Sequence, residues 1–540
     1  MSLLEIRDLA VRYTPRDQRP TDAVRGVSFS LEPGEFVGLV GESGSGKSTL
    51  GNAILQLLQV PASRSGGSVV FDGRDLTGLG LDELRKLRWV DLSTVFQSSM
   101  NSLNPVLTVG AQFADTFEAH GEDASRARSA ELLKMVDLEE RVLDSYPHEL
   151  SGGMKQRVAL ALSLALKPRF VLLDEPTTGL DVLVQRRILD RLRELQAELG
   201  FAVLFISHDI GTVLEIADRV LVMYHGDIVE DRGAEEILDD PHDEYTKKLL
   251  GSYQAAHDIP EENRLAPEAD AVLEIDDVRK TYRIGRGRTQ RKVEALRGVS
   301  LALRKGRVTA LVGQSGSGKS TIGRMLLGIE RPDSGEVRFT GAGEAGARRV
   351  DQLKGSALRE LRSHVQLVFQ DPYSSLNPTR TVFYALSRPL RNYAGATKGD
   401  VRQRAADLLE QVGLSPAEDF LDKLPSQLSG GQRQRVVIAR ALAPEPEILV
   451  ADEPVSSLDV TIRAAILDLL RRLVEERGLA MLYITHDLLS ARALAHDVVV
   501  LEQGRIVEQG GTEAVTSHAS HEYTRELLDA IPDPYRRRAS

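Results

Sequence analysis

Twice along the chain a run of glycines closes on a lysine and two hydroxyls: Gly41-Glu-Ser43-Gly44-Ser-Gly46-Lys47-Ser48-Thr49, and later Gly313-Gln-Ser315-Gly316-Ser-Gly318-Lys319-Ser320-Thr321. Each run follows an apolar, strand-like stretch and precedes a helical pattern. In that setting glycines let backbone N–H groups curl around phosphate oxygens, the helix start adds about half a positive charge, and the lysine reaches the terminal phosphates. Ser48 and Ser320 would face Mg2+. A Gly/Ser turn that ends by chance in Lys-Ser is the bland reading, and its recurrence in the same context argues against it. ATP and Mg2+ are therefore the expected ligands.

The runs Phe170–Leu173 and Ile448–Ala451 are apolar and end in Asp174-Glu175-Pro176 and Asp452-Glu453-Pro454. A strand of this kind carries its acids to an exposed end. The aspartate suits the Mg2+ shell, and the glutamate can orient or deprotonate an attacking water, a role worth about 10²- to 10⁴-fold in rate. Two acids that merely cap a strand before a proline are the structural alternative. Leu150-Ser151-Gly152-Gly153-Met-Lys-Gln-Arg157 and Leu428-Ser429-Gly430-Gly431-Gln-Arg-Gln-Arg435 each read as the opening of an amphipathic helix, which aims backbone donors at an anion. Taken alone, a Ser-Gly-Gly helix start is more often a cap.

Placed before the Asp-Glu pair, that last string resembles the signature of the ATP-binding-cassette ATPases, and the resemblance covers both halves of the chain. It implies two cassettes that pair head to tail within one polypeptide, each ATP lying between the glycine loop of one and the signature of the other. Lys47 would then work with Ser429 and Gly431, and Lys319 with Ser151 and Gly153; two ATP close the pair and hydrolysis opens it. The resemblance also implies that Gln97, after Thr-Val-Phe, and Gln370, after Leu-Val-Phe, sense Mg2+ and a membrane partner. His208 in Ile-Ser-His-Asp and His486 in Ile-Thr-His-Asp would contact the γ-phosphate, a buried structural histidine being the alternative. Tyr13 and Tyr282 would stack on adenine, worth about 1 to 3 kcal/mol by analogy with base stacking. Asp181 and Asp459 match the D-loop aspartate, although the first copy reads Thr-Thr-Gly-Leu-Asp and the second Val-Ser-Ser-Leu-Asp. Neither copy lacks its glutamate, histidine or signature glycines, so two ATP-hydrolysing sites are expected.

These residues need a scaffold, and the chain supplies the same one twice. Leu4-Glu5-Ile6 recurs as Leu273-Glu274-Ile275, and the spacing between corresponding residues drifts only slightly from Tyr13/Tyr282 through Lys47/Lys319 to His208/His486, as small loop insertions would produce. Within each copy, short apolar runs such as Phe36–Val40, Phe170–Leu173 and Val203–Ile206 alternate with long amphipathic ones such as Val184–Leu199. That pattern predicts α/β domains with a mainly parallel sheet core. The resemblance adds an antiparallel β subdomain and a helical signature subdomain to each P-loop NTPase core. The expected domains are 1–251 and 272–540, joined by an acidic, proline-bearing linker over 252–271.

The 540 residues contain no cysteine, which excludes disulfides, thiolate metal sites and iron-sulfur clusters. The start of the chain has no basic segment followed by an apolar core, and no run reaches the roughly 18 apolar residues of a membrane span, so any membrane role is peripheral. A net charge of −11 argues against a nucleic-acid partner.

Two further strings narrow the family. Ser-Leu-Asn104-Pro105 and Ser-Leu-Asn377-Pro378 follow the two glutamines, and Pro241-His-Asp-Glu-Tyr245-Thr and His521-Glu-Tyr523-Thr close the two copies. They resemble the oligopeptide, dipeptide and nickel importer group, although a polar turn capping a helix accounts for them physically. The group implies two integral-membrane permease subunits docking near the Q-loop glutamines, an extracytoplasmic solute-binding protein, and residence at the cytoplasmic face of the membrane. Di- and oligopeptides are the expected cargo. Ser98-Ser99 replaces the usual Asp-Pro of the group, which keeps oligosaccharide as an alternative cargo, and the group itself keeps nickel as another. A soluble twin-cassette ATPase acting on ribosomes is the rival from another class, but those proteins join their cassettes by a long charged helix. DNA-repair and ribosome-recycling relatives need cysteine-ligated metal. An exporter is a third reading, disfavoured by the Ser-Leu-Asn-Pro and closing strings.

Overall fold

The side chains of Phe36–Val40 alternate between two cores. Phe36 and Val40 pack with a cluster built largely from helices, while Val37 and Leu39 pack against an antiparallel sheet. Gly38 between them has no room for a side chain, since a Cβ would lie 2.1 Å from Val213 Cγ1. This five-residue strand is buried throughout and becomes the centre of the first nucleotide-type sheet.

A computed structural model describes residues 2–16, 19–96, 102–255, 259–260, 269–284, 291–341, 347–456 and 458–535. The chain divides into two units, Met1–Tyr253 with Asp459–Thr461 and Pro532–Ser540, and Gln254–Leu458 with Ile462–Ile531. In the first unit β1 (Leu4–Tyr13), β2 (Thr21–Leu31), β4 (Ala62–Phe71) and β5 (Arg74–Asp75) form an antiparallel sheet in the order β2-β1-β4-β5. The strand Phe36–Val40 is β3. It joins β6 (Leu92–Val95), β7 (Phe170–Asp174), β8 (Ala202–Ser207), β9 (Arg219–Tyr224) and β10 (Asp227–Gly233) in the order β10-β9-β3-β8-β7-β6, parallel except for β10.

The second unit repeats this arrangement. Its antiparallel sheet runs β12-β11-β14-β15, from β11 (Ala271–Ile284), β12 (Arg291–Arg304), β14 (Ser334–Phe339) and β15 (Arg348–Arg349). Its main sheet runs β20-β19-β13-β18-β17-β16, from β13 (Val308–Val312), β16 (Val365–Val368), β17 (Ile448–Asp452), β18 (Ala480–Thr485), β19 (Asp497–Glu502) and β20 (Arg505–Gly511).

Strand order decides which residues can meet. Val40 pairs with Ser207 and Asp174 with Ile206, so β3, β8 and β7 end side by side; in the second unit Val312 pairs with Thr485 and Asp452 with Ile484. Adjacent strands are roughly 4.8 Å apart, so the three carboxyl ends lie within about 10 Å, where open parallel sheets bind ligands.

Helix ends follow local chemistry. Asp181 caps the helix Val182–Leu199 by accepting from the Val184 N–H at 3.1 Å, and Gly200 ends it in the left-handed region. The helix therefore begins at its capping acid, two residues ahead of the amphipathic run. The helix Gly152–Ser163 departs from the one-sided pattern expected of it: Gly153, Gln156 and Val158 through Ser163 are all buried, because the helix is enclosed by its neighbours on most sides. The helix Glu244–Ala255 runs across residue 251. Among the described residues no helix is long and apolar enough to cross a membrane.

Candidate functional site

Each glycine loop is shaped by its backing. A Cβ on Gly41 would come within 2.1 Å of the Met223 carbonyl oxygen, and one on Gly46 within 2.2 Å of that of Ala23. Gly313 and Gly318 repeat the crowding, 2.2 Å from the Leu501 oxygen and 2.5 Å from the Ala295 oxygen. Gly44 and Gly316 have open space but φ of +84° and +82°, so there glycine serves conformation alone. Ser43 and Ser315 stand exposed beside them at the loop tips. The turn after β9 donates the Gly226 N–H to the Ser45 carbonyl at 3.0 Å, and the turn after β19 donates Gly504 N–H to that of Ser317 at 2.9 Å.

Lys47 and Lys319 open the helices Lys47–Ile54 and Lys319–Leu326 and are buried. Lys47 Nζ donates to the carbonyls of Gly41 and Glu42 at 2.7 and 2.8 Å, and Lys319 Nζ to those of Gly313 and Gln314 at 2.5 and 2.8 Å. Burial pushes the Lys47 ammonium down, against the pull of the Glu175 and Asp174 carboxylates. The lysines thus rest on their own loops, on contacts that phosphate oxygens can replace. Thr49 completes the first loop, with its Oγ1 3.2 Å from the Tyr13 hydroxyl. Thr321 holds the same place in the second, but Tyr282 is differently set: Lys280 Nζ lies 5.5 Å from its ring centre, and its buried hydroxyl has no hydrogen-bond partner among the described residues.

The acids come in beside the loops. Ser48 Oγ donates to Asp174 Oδ1 at 3.1 Å, and Ser320 Oγ to Asp452 Oδ1 at 3.5 Å. A hydroxyl and a carboxylate, both hard oxygen donors, fit Mg2+, which takes few protein ligands and completes its shell with phosphate and water. Among the described residues no group of three acids, histidines or cysteines is placed to hold a metal. Burial, offset by the Ser48 hydrogen bond and reinforced by the Glu175 charge, pushes the Asp174 carboxyl up to about 6. Burial likewise raises Asp452 against its bond from Ser320.

A raised carboxyl destabilises the folded chain above its folded pKa. The penalty is about 3 kcal/mol at neutral pH and disappears as pH falls through 6 towards 4. Without Mg2+, Asp174→Asn should therefore stabilise the protein by about 1 to 3 kcal/mol at pH 7.5, with the gain shrinking at pH 5. Denaturant melts in EDTA at the two pH values measure it; a variant less stable than wild type at pH 7.5 contradicts the argument.

Glu175 and Glu453 follow their aspartates in the left-handed region, with φ of +48° and +46°, held by N–H bonds to the carbonyls of Ile206 and Ile484 at 2.9 and 2.8 Å. His208 Nδ1 lies 3.2 Å from Glu175 Oε1, and His486 Nδ1 lies 3.1 Å from Glu453 Oε1. The other carboxylate oxygens have donors as well. Thr178 Oγ1 donates to Glu175 Oε2 at 3.1 Å, whereas Gln370 Nε2 donates to Glu453 Oε2 at 2.7 Å. Burial pushes the Glu453 carboxyl up, but the His486 hydrogen bond and the charges of His486 and Lys319 outweigh it and hold it below the usual range. Gln97 lies outside the described residues, as do Ser98 and Ser99.

The Ser-Gly-Gly residues sit at the start of the helices Gly152–Ser163 and Gly430–Leu442. Ser151 Oγ accepts from the Met154 N–H at 3.3 Å, and Ser429 Oγ from that of Gln432 at 3.2 Å, so both serines are caps in these positions. Gly152 and Gly430 are half-buried beside them. Gly153 and Gly431 allow close helix contact, for a Cβ would meet Val184 Cγ1 at 2.5 Å and Ile462 Cγ2 at 2.7 Å. The asparagines of the Ser-Leu-Asn-Pro strings make Asx turns, Asn104 Oδ1 accepting from Val106 N–H at 3.2 Å and Asn377 Oδ1 from Thr379 N–H at 3.0 Å.

Two site residues escape the reading by chemistry. Tyr245 and Tyr523, seen in sequence only as members of closing strings, reach the glycine loops: their hydroxyls accept from the N–H groups of Glu42 at 2.8 Å and Gln314 at 3.0 Å. The one available signal was their recurrence at the same place in both copies.

Comparison with known proteins agrees with this geometry. The sequence model of the ABC transporter family matches residues 24–178 and 296–456, and that of the oligopeptide/dipeptide transporter C-terminal region matches 507–539. The chain is 41% identical over 574 residues to the glutathione import ATP-binding protein GsiA of Pectobacterium atrosepticum, covering 99% of this chain and 90% of that protein. It is 38% identical over 579 residues to the protein of the same name from Escherichia coli K12, covering 99% and 91%.

Proposed function

Since the chain belongs to the ABC transporter family, as two ATP-binding cassettes in one polypeptide, we propose that it hydrolyses ATP to drive the import of short peptides. It is an ATPase and the ATP-binding subunit of an importer; the peptide cargo is the finer reading. That reading is carried by the collinear similarity, over 99% of the chain, to proteins named for the import of glutathione, itself a tripeptide. The match to the oligopeptide/dipeptide C-terminal region supports it.

In this reading Lys47 and Lys319 leave their loop carbonyls for the terminal phosphates of ATP. The loop N–H groups from Ser43 to Thr49 and from Ser315 to Thr321 cradle the remaining phosphates. Glu175 and Glu453 orient the attacking water and draw off its proton, with His208 and His486 fixing the carboxylates and contacting the γ-phosphate. Ser48, Asp174, Ser320, Asp452 and the glutamines Gln97 and Gln370 would hold Mg2+, which neutralises phosphate charge when bound. Tyr13 and Tyr282 would flank adenine.

The partners are two integral-membrane permease subunits and an extracytoplasmic solute-binding protein, with this chain at the cytoplasmic face. A cleft of about 810 Å³ in the second unit supports permease docking. It adjoins Gln370 and is lined by Phe369, Tyr384 and Tyr393 with Arg380 and Arg388, which suits an amphipathic helix with acidic residues.

The test is reconstitution of the chain with its permeases and binding protein in liposomes, measuring ATP-dependent uptake of labelled di- and tripeptides, an oligosaccharide and Ni2+. Peptide uptake is expected. Uptake of sugar or nickel without peptide overturns the cargo and leaves the ATPase standing.

A further inference from the structure

The two closing helices, Glu244–Ala255 and Glu522–Asp529, make the same long-range contact in separate units, reaching back 203 and 209 residues to the glycine loops. In each, a buried tyrosine accepts the N–H of the second loop residue, Glu42 or Gln314. The lysine of the same loop holds the carbonyls on either side of that N–H, those of Gly41 and Glu42 or of Gly313 and Gln314. One short stretch of backbone is therefore gripped from two directions.

The grips differ in what ATP does to them. The lysine must exchange the loop carbonyls for phosphate, and the tyrosine has no such exchange to make. Burial pushes the Tyr245 phenol up, so its oxygen keeps its proton and stays a neutral acceptor.

The tyrosines are themselves held by the hairpins that back the loops. Glu230 on β10 accepts from the N–H groups of His242 and Asp243 at 3.0 and 3.2 Å, just ahead of the first closing helix. Glu508 on β20 accepts from the N–H and hydroxyl of Ser520 at 2.7 and 2.8 Å and from the N–H of His521 at 3.3 Å. Burial pushes the Glu508 carboxyl up, but the donors at the helix start outweigh it and hold it at about 2. The same hairpins donate Gly226 and Gly504 N–H to the loops. Each loop thus rests on a β hairpin directly and, through the closing helix, a second time.

We propose that Tyr245 and Tyr523 are positioning residues for ATP binding, keeping the second amide of each glycine loop in place while the lysine changes partner from loop to nucleotide. This rests on the ATP-binding reading of the loops, and active wild-type protein is the control that separates the two.

The experiment uses the full chain carrying Tyr245→Phe and Tyr523→Phe, which keeps both rings and removes both acceptors. A half-buried N–H is then left unpaired, which predicts a KM for ATP raised about 5- to 30-fold, with kcat within about twofold. Deuterium exchange in the peptides containing Glu42 and Gln314 should quicken in the presence of ATP, with the melting temperature almost unchanged. An unchanged KM beside an active wild type overturns the proposal, as does a rise in KM matched by a general fall in kcat and melting temperature. Glu508→Gln, which loosens the second closing helix and leaves Tyr523 intact, should also raise KM and speed exchange at Gln314. If the tyrosine variant fails to fold, an unchanged KM in Glu508→Gln overturns the proposal by itself.

Discussion

Glu175→Gln together with Glu453→Gln is expected to abolish ATP turnover, lowering kcat by about 10²- to 10⁴-fold, while ATP affinity stays within about twofold. Both glutamates stand at strand ends beside a histidine, at 3.2 and 3.1 Å. The amide keeps an oxygen that can meet the neighbouring donors but is no base, so binding survives and proton removal does not. Phosphate release and filter binding of labelled ATP on the same preparation separate the two. Turnover above a tenth of wild type in the double variant would remove these residues from the chemistry. The single variants then ask whether the two sites turn over equally. Unequal residual rates would show that they do not.

The second large effect is steric. Gly41→Ala should weaken ATP binding to the first loop by about 100-fold or more, whereas Gly44→Ala should cost about fivefold. At Gly41 the new Cβ meets the Met223 carbonyl at 2.1 Å, and Met223 belongs to β9, tied by parallel pairing to β3 and by antiparallel pairing to β10. Nothing there can give way, so overpacking of about 3 kcal/mol falls on the loop, and each 1.4 kcal/mol is tenfold in affinity. At Gly44 no atom lies within 4 Å and only the backbone strain of about 1 kcal/mol remains. Gly313 and Gly316 should repeat the contrast. Fluorescent-nucleotide titration measures it, and equal affinities for the two variants would show that the loop is not braced by β9.

The loops, acids and histidines were legible because each is a short string at the end of an apolar run. Local chemistry there needs no knowledge of the rest of the chain. What brings the strings together is not local. That β8 lies between β3 and β7 follows from strand order, to which nothing in Ile-Ser-His-Asp refers. The reason for Gly41 is a carbonyl more than 180 residues away in sequence, and the reach of Tyr245 to Glu42 spans 203. The helix behind Ser151 reads as one-sided because the sequence does not reveal the neighbours that enclose it. The Ser-Leu-Asn-Pro strings were legible as turns, since an asparagine bonds its own backbone two residues on whatever surrounds it.

The conformation of Glu175 and Glu453 was hidden as well. A following proline keeps a residue out of the right-handed helical region but does not select the left-handed one. Both glutamates nevertheless occupy it, at φ of +48° and +46°. Glycine or asparagine would sit there with less strain, by about 1 kcal/mol or more. A library of this protein sorted only for survival of heat should therefore accumulate glycine and asparagine at positions 175 and 453, and those survivors should be ATPase-dead. Selection for turnover and selection for robustness pull in opposite directions at these two positions, so a thermostabilised version of the protein has to be evolved with both held constant.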